Sequence, residues 1–235
     1  MNHSKPLPKF DPRSIPVQGV DDHLEGVSPD RLTPEALRSR FLAPPVWIPE
    51  HSVEKKFEDR QPALAAVLVP LVMREQLTLL LTQRTTNLST HSGQIAFPGG
   101  RTDATDIDAV DTALREATEE IGLERHHVEV LGALPTYITG TAYIITPVVA
   151  LVRPGFEIQA NPGEVADVFE VPLAYLMNPA HHRRHEFEFD GITRQWLSMP
   201  YIDRIGDAVG NVSKERYIWG ATAGMLRNLY RFLSA

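Results

Sequence analysis

The chain has 235 residues, 43% of them hydrophobic, with 30 acidic against 23 basic side chains and a formal charge of −7. That length and apolar share support one substantial core and exclude a disordered or fibrous class. The acidic balance argues against backbone-driven nucleic-acid binding, so a phosphorylated partner would need local cations or bound metal.

No cysteine is present. Disulfides, thiolate zinc sites and a cysteine nucleophile are therefore excluded, and a reducing cytoplasm suits the chain. The longest apolar stretch, around Ala63–Met73, is too short to span a bilayer, and no basic-then-apolar leader opens the sequence. A cytoplasmic location without membrane attachment is expected.

Residues 1–50 read as an arm, because nine of the 19 prolines fall there and each removes a backbone donor. One short helix is expected within it, over Pro34–Phe41. Thr33 is its N-cap, Pro34 its first residue and Glu35 an acidic first-turn residue, and Pro44-Pro45 ends it. The folded domain spans 60–233 and begins near Gln61. Ala63–Met73 and Leu77–Thr82 are strand-length apolar runs rich in branched residues, read as buried strands. A short strand, Gln94–Phe97, leads into the turn Pro98-Gly99-Gly100.

Periodicity then changes. Val110, Leu114, Ala117 and Ile121 recur at helical spacing, and Gly122 stands where a helix would stop. Strands resume at Val128–Leu131 and Tyr143–Val152, and a short helix is expected around Glu164–Phe169. Arg184–Phe189 alternates and turns at Asp190-Gly191 into Thr193–Met199. Ile218, Thr222, Met225, Leu229 and Phe232 repeat helically and close the chain. Strands and helices mixed in this way predict an α/β or α+β sandwich.

The chemistry concentrates in residues 97–123. Glu116, Glu119 and Glu120 stand at i, i+3 and i+4 and share one helix face, where like charges repel. Arg115 adjoins them and cannot neutralise all three. A hard divalent cation such as Mg²⁺ suits such a face, since it takes a few carboxylates, several waters and substrate phosphate. Arg-Glu-x-x-Glu-Glu alone would also fit a solvated, charged helix surface. The glycine turn before it and Gly122-Leu123 after it favour a built site.

With those residues in place, the segment resembles the Nudix box. Gly100, Arg115, Glu116, Ala117, Glu119, Glu120, Gly122 and Leu123 match the pattern. Asp106 stands where the first glutamate is usual, one extra residue separates it from Arg115, and Ala117 is smaller than the usual aliphatic. The resemblance implies a Nudix-fold α/β/α sandwich with a mixed sheet, and metal-dependent hydrolysis of a nucleoside diphosphate linked to another group. It implies Mg²⁺ or Mn²⁺ on Glu116 and Glu120, Glu119 assisting, the Gly100 backbone close to the metal, and Arg115 orienting Glu116. Glu164, in Asn161-Pro-Gly-Glu-Val165, is the candidate for a further metal-binding or proton-accepting carboxylate. Its alternative is an ordinary first-turn helix residue.

Upstream, Leu80-Leu-Thr-Gln-Arg-Thr85 and His91-Ser-Gly-Gln-Ile-Ala-Phe-Pro-Gly-Gly100 resemble the coenzyme A pyrophosphatase subfamily, as does Ile218-Trp-Gly-Ala-Thr-Ala-Gly224. Ser89 stands where that pattern has a second arginine. Arg84, Gln94 and Arg101 are the candidate substrate-binding residues, and Arg84 and Gln94 could instead shape the loop. The implied partner is a small nucleotide, with coenzyme A first. ADP-ribose, dinucleotides, nucleoside triphosphates and a non-catalytic Nudix-like binding module are the rivals. A homodimer stays open, the arm packing across the partner. His181, His182 and His185 are read as a surface strand end rather than a zinc site.

Overall fold

Residues 11–51, 53–54, 61–86, 93–189, 191–207 and 210–235 are described in a computed structural model. Strand β1 (Val17–Val20) comes first, then helix α1 (Pro34–Leu42). Thr33 caps α1 by accepting from the Ala36 amide at 3.2 Å, and Pro34, lacking an N–H, occupies the first turn where no donor is needed. Strands β2 (Ala63–Val72), β3 (Thr78–Arg84), β4 (Ile95–Ala96) and β5 (Gly99–Arg101) lead into helix α2 (Ala109–Ile121). Next are β6 (Val128–Ala133), β7 (Tyr137–Ile138), β8 (Tyr143–Val152), β9 (Val165–Pro172) and the one-turn helix α3 (Leu173–Leu176). Strands β10 (Arg183–Phe189), β11 (Ile192–Asp207) and β12 (Gly210–Trp219) and helix α4 (Gly220–Ser234) complete the chain.

Two-residue alternation divides the apolar strands between two cores. Ala66, Leu68 and Val72 of β2, Leu80 of β3 and Val148, Ala150 and Val152 of β8 face α2, meeting Ala113, Ala117 and Ile121. Their odd-numbered neighbours Val69, Leu71, Leu79, Leu81, Val149 and Leu151 face the other way, onto Met225, Leu226, Leu229 and Phe232 of α4. A run buried on both faces must be apolar throughout, which is why β2 and β8 read as continuous hydrophobic stretches. β2 and β8 pair in parallel at the centre, and the other pairings of this eight-stranded sheet are antiparallel. The expected α/β architecture with a mixed sheet is observed, with α2 on one face and α4 on the other.

Four features depart from the sequence reading. The segment expected as a helix over Glu164–Phe169 is strand β9, antiparallel to β3, with Val165, Phe169 and Val171 turned inward. β-branched and aromatic residues facing an unfilled sheet edge outweigh the acidic helix-start signal. A second, four-stranded sheet in the order β1-β10-β11-β12 accompanies the mixed one, and its β11 and β12 form one long hairpin. Ile218 belongs to β12, so α4 starts at Gly220.

Two of the three histidines read as a surface strand end are not at a surface. His182 and His185 are buried. Arg227 donates to His182 Nδ1 at 3.0 Å, so the proton resides on Nε2, which meets Leu176 O at 2.8 Å. His185 meets Ser198 Oγ at 2.8 Å and stacks on Trp196.

Residues 11–50 lie along the domain. Leu32 and Leu37 enter the α4-side core, and β1 pairs with β10. Buried Asp21 accepts from Arg184 at 2.7 and 2.8 Å and lies 3.1 Å from Arg227, while Glu50 bonds both arginines. Among the described residues no helix is long and apolar enough to cross a membrane.

Candidate active site

β5 and α2 create the site together. Asp108 caps α2 by accepting from the Asp111 amide, and Gly122 ends it with φ 71°, a left-handed conformation that glycine adopts without strain. The buried stripe of Ala113, Ala117 and Ile121 fixes the helix's rotation, which presents Glu116 and Glu120 towards the Gly99-Gly100 turn.

That turn has no room for side chains. A Cβ on Gly100 would lie 2.5 Å from Glu116 Cδ and 2.6 Å from both of its oxygens. One on Gly99 would lie 2.5 Å from Ala66 O and 2.6 Å from Val67 Cα. The first glycine therefore serves sheet packing and the second admits a carboxylate against the backbone.

The three glutamates have distinct surroundings. Glu120 is 3% exposed, accepts from Gly99 N at 3.2 Å and stands 3.6 Å from an Arg84 nitrogen. Burial pushes its carboxyl up to about 7, aided by the charges of Glu116 and Glu164 and opposed by Gly99 N–H and Arg84. Glu116 is also raised, mainly by burial, with Arg115 opposing. Glu119 is 58% exposed and bonded to Arg115 at 3.0 Å.

Arg115 is the organising cation. Its Nε and one terminal nitrogen grip both oxygens of Asp106 at 2.8 and 2.9 Å, and its other terminal nitrogen reaches Glu116 and Glu119 at 3.0 Å each. Asp106 also accepts from Thr112 Oγ1 and Asp103 N, and Arg115 holds its carboxyl well below the usual range. The residue that departs from the box pattern thus has a defined place: it anchors the arginine. Spacing alone hid this, because the extra residue after Asp106 is absorbed in the turn preceding α2.

Glu164 follows the Asn161-Pro162-Gly163 turn, and its carbonyl accepts from Thr85 N at 2.9 Å beside Arg84. Its charge acts on both Glu116 and Glu120. The first-turn-helix alternative for Glu164 disappears with that helix. Arg84 is 26% exposed and its backbone N–H donates to Gln94 O at 2.9 Å. Arg101 is exposed on β5, and its carbonyl accepts from Arg115. Glu116, Glu119, Glu120, Glu164, Arg84 and Arg115 are thereby gathered in one region, with Arg101 on its rim; Ser89 lies outside the described residues.

Fold and site define an α/β protein that presents a carboxylate-bearing helix to a glycine turn at the edge of a mixed sheet. A family model described as the NUDIX domain matches residues 62–190. The uncharacterized Nudix hydrolase NudL of Escherichia coli (strain K12) is 41% identical over 166 residues, covering 70% of this chain and 80% of that protein. Its counterpart of the same name from Shigella boydii serotype 18 is 40% identical over the same length and shares. Among solved structures, a Caenorhabditis elegans Ap4A hydrolase binary complex aligns at 20% identity with a TM-score of 0.41, over 50% of this chain and 85% of that one. The chain belongs to the Nudix family.

Proposed function

We propose that this protein hydrolyses the pyrophosphate bond of a nucleoside diphosphate derivative, with coenzyme A or its derivatives as substrate. The products would be phosphopantetheine and adenosine 3′,5′-bisphosphate. The observation that carries the hydrolase reading is the pair Glu116 and Glu120, half-buried and buried respectively against a glycine turn, where Arg115 is shared with Asp106 and Glu119.

Nudix hydrolases generally use divalent cations, and the donor set fits one. Glu116 and Glu120 offer hard oxygens, and Gly100 leaves space where a Cβ would collide with Glu116. Among the described residues no group of three or more carboxylates or histidines is placed to enclose an ion alone. Mg²⁺ suits that arrangement, since it keeps waters and takes substrate phosphate beside one or two carboxylates, and Mn²⁺ is the alternative. Glu116 and Glu120 are assigned as the principal ligands, with Glu119 assisting directly or through water and the Gly100 backbone close by. When bound, the cation polarises the pyrophosphate oxygens and lowers the pKa of the attacking water.

The protein's own groups supply the remainder. Arg115, immobilised by Asp106, holds Glu116 in one orientation. Glu164 is assigned as the further carboxylate that binds metal or accepts the proton. Arg84, Gln94 and Arg101 are assigned to the substrate, the two arginines as cations for its phosphates. The upstream segment containing Arg84 and Gln94 supports coenzyme A as substrate.

Incubating the protein with Mg²⁺ and a panel of pyrophosphates, followed by chromatography of the products, tests both levels. Coenzyme A should yield the two products named above. ADP-ribose turned over much faster than coenzyme A would reject the substrate while leaving the hydrolase reading, and no turnover of any pyrophosphate would reject both.

A further inference from the structure

A concavity of about 350 Å³ opens on the α4 side of the mixed sheet, lined in part by Glu54, Tyr137, Phe187, Gln195, Trp196 and Trp219. Phe187, Trp196 and Trp219 are half-buried. The two indoles meet at 6.5 Å with their planes 68° apart. Several rings around one cavity favour a flat, apolar-faced ligand.

Glu54 supplies the polar contact. Its two oxygens accept from Tyr137 Oη and Gly140 N, each at 2.8 Å, which fixes the carboxylate in place. A carboxylate has about four acceptor sites and no donor when ionised, so one bond per oxygen among the described residues leaves capacity for a ligand that donates. Arg194 on the same wall already brings a cation, which disfavours a cationic occupant.

Strand register connects this cavity to the catalytic turn. Tyr137 pairs with Ile145, Ile145 with Ala65, and Ala65 with Arg101. Three inter-strand steps separate Tyr137 from Arg101, ~14 Å at the usual spacing. Alternation puts this row on the face opposite α2, because Ala66 and Gly100, one residue along, are the ones that meet α2. Thr222, two residues beyond the cavity residue Gly220, also donates to Ile95 O at 3.1 Å, tying α4 to the strand that precedes the turn. Tyr137 and Ala65 of this row are buried, so the row measures the span and is not itself the path: a ligand with its ring in the cavity would have to reach about that far to set its phosphates by Arg101.

We infer that this cavity binds the adenine ring of the substrate, stacked on its aromatic walls with the 6-amino group donating to Glu54. The inference rests on the reading of the substrate as a nucleoside diphosphate derivative and adds where the base sits and what selects it. Hypoxanthine would set a carbonyl oxygen against the carboxylate, acceptor against acceptor, and is discriminated against.

Two of the three tryptophans line the cavity, so ligand binding is read by quenching of intrinsic fluorescence in the full chain, in EDTA to prevent turnover. ADP should quench and bind about 10-fold more tightly than IDP, the scale of one lost hydrogen bond with an unpaired buried partner. Phe187→Ala should weaken ADP binding about 10-fold through lost stacking. Glu54→Gln should narrow the gap between ADP and IDP, since its amide can donate to the hypoxanthine oxygen while the Tyr137 hydroxyl turns to accept. Equal affinity of the wild type for ADP and IDP overturns the inference, as does quenching by phosphopantetheine but not ADP. Metal-dependent turnover on the same preparation separates the two readings. Hydrolysis without base preference removes the adenine seat and leaves the hydrolase, whereas base-selective binding without hydrolysis keeps the seat and removes the hydrolase.

Discussion

Glu120 and Asp106 are two buried carboxylates with opposite electrostatics. Glu120→Gln keeps size and helix propensity but removes the charge, and kcat should fall by roughly 10²-fold or more with the fold intact. Near-normal turnover at saturating Mg²⁺ would remove Glu120 from the ligand set. Asp106→Asn acts through Arg115, which loses its bidentate partner. A loss of ~10–100-fold is expected, the usual effect of disturbing a residue that orients a ligand. Unchanged activity would make Asp106 a turn residue only.

The raised Glu120 carboxyl also predicts a pH effect. Folded protein keeps this proton up to about 7, whereas the unfolded chain releases it near 4.5. Between those values the folded state binds more protons, so this contribution weakens the metal-free fold as pH rises. His182 acts in the opposite sense: burial lowers it to about 4 from 6.5, so the stability it contributes is lost as pH falls through that range. Comparing Tm of wild type and Glu120→Gln in EDTA cancels the histidine. The variant should gain on the wild type between pH 5 and pH 8, and a constant difference would contradict the burial of an ionised Glu120.

At the scale of elements, adjacent glycines on β5 predict opposite outcomes for the same substitution. Gly99→Ala drives a methyl into the β2 backbone at Ala66 and Val67, which cannot yield without opening the pairing of β5 with β2. A marked drop in Tm should follow. Gly100→Ala meets only the end of the Glu116 side chain, which can swing away. Its Tm should stay close to wild type while activity falls, because Glu116 leaves the position that Arg115 and the turn hold. Thermal unfolding and a turnover assay on both variants read the contrast directly, and equal effects on both would refute it.

For the whole molecule, the N-terminal segment is locked to the body by charge as well as by Leu32 and Leu37. Asp21 is 3% exposed beside Arg227 at 1%, with Arg184 completing the cluster. Asp21→Ala would leave buried guanidinium charge short of a partner, an effect of roughly 3–5 kcal/mol in comparable buried pairs. Urea unfolding should show it as a lower midpoint. A loss under 1 kcal/mol would mean that Glu50 alone satisfies both arginines.

Local chemistry made much of this protein legible in its sequence. The Thr33-Pro34 cap, the helical stripe ending at Gly122, the apolar runs of β2, β3 and β8 and the glutamates at i, i+3 and i+4 all depend on neighbours within a few positions, so spacing reveals them. The segment after Gly163 reads as a helix because Glu164 resembles a helix start. Its fate was decided by β3, some 80 residues earlier, which offers a strand edge to pair. The same limit applies to Asp106, whose role exists only where the loop folds back on Arg115, and to His182, polar in sequence yet buried once Arg227 and Leu176 O satisfy its two nitrogens. The aromatic cavity joins Glu54, Tyr137 and Trp219, residues that no local pattern relates. Short-range periodicity determined which elements form and where the carboxylates stand. Tertiary structure alone decided which charges neutralise one another, because pairing and burial depend on contacts between segments far apart in the chain.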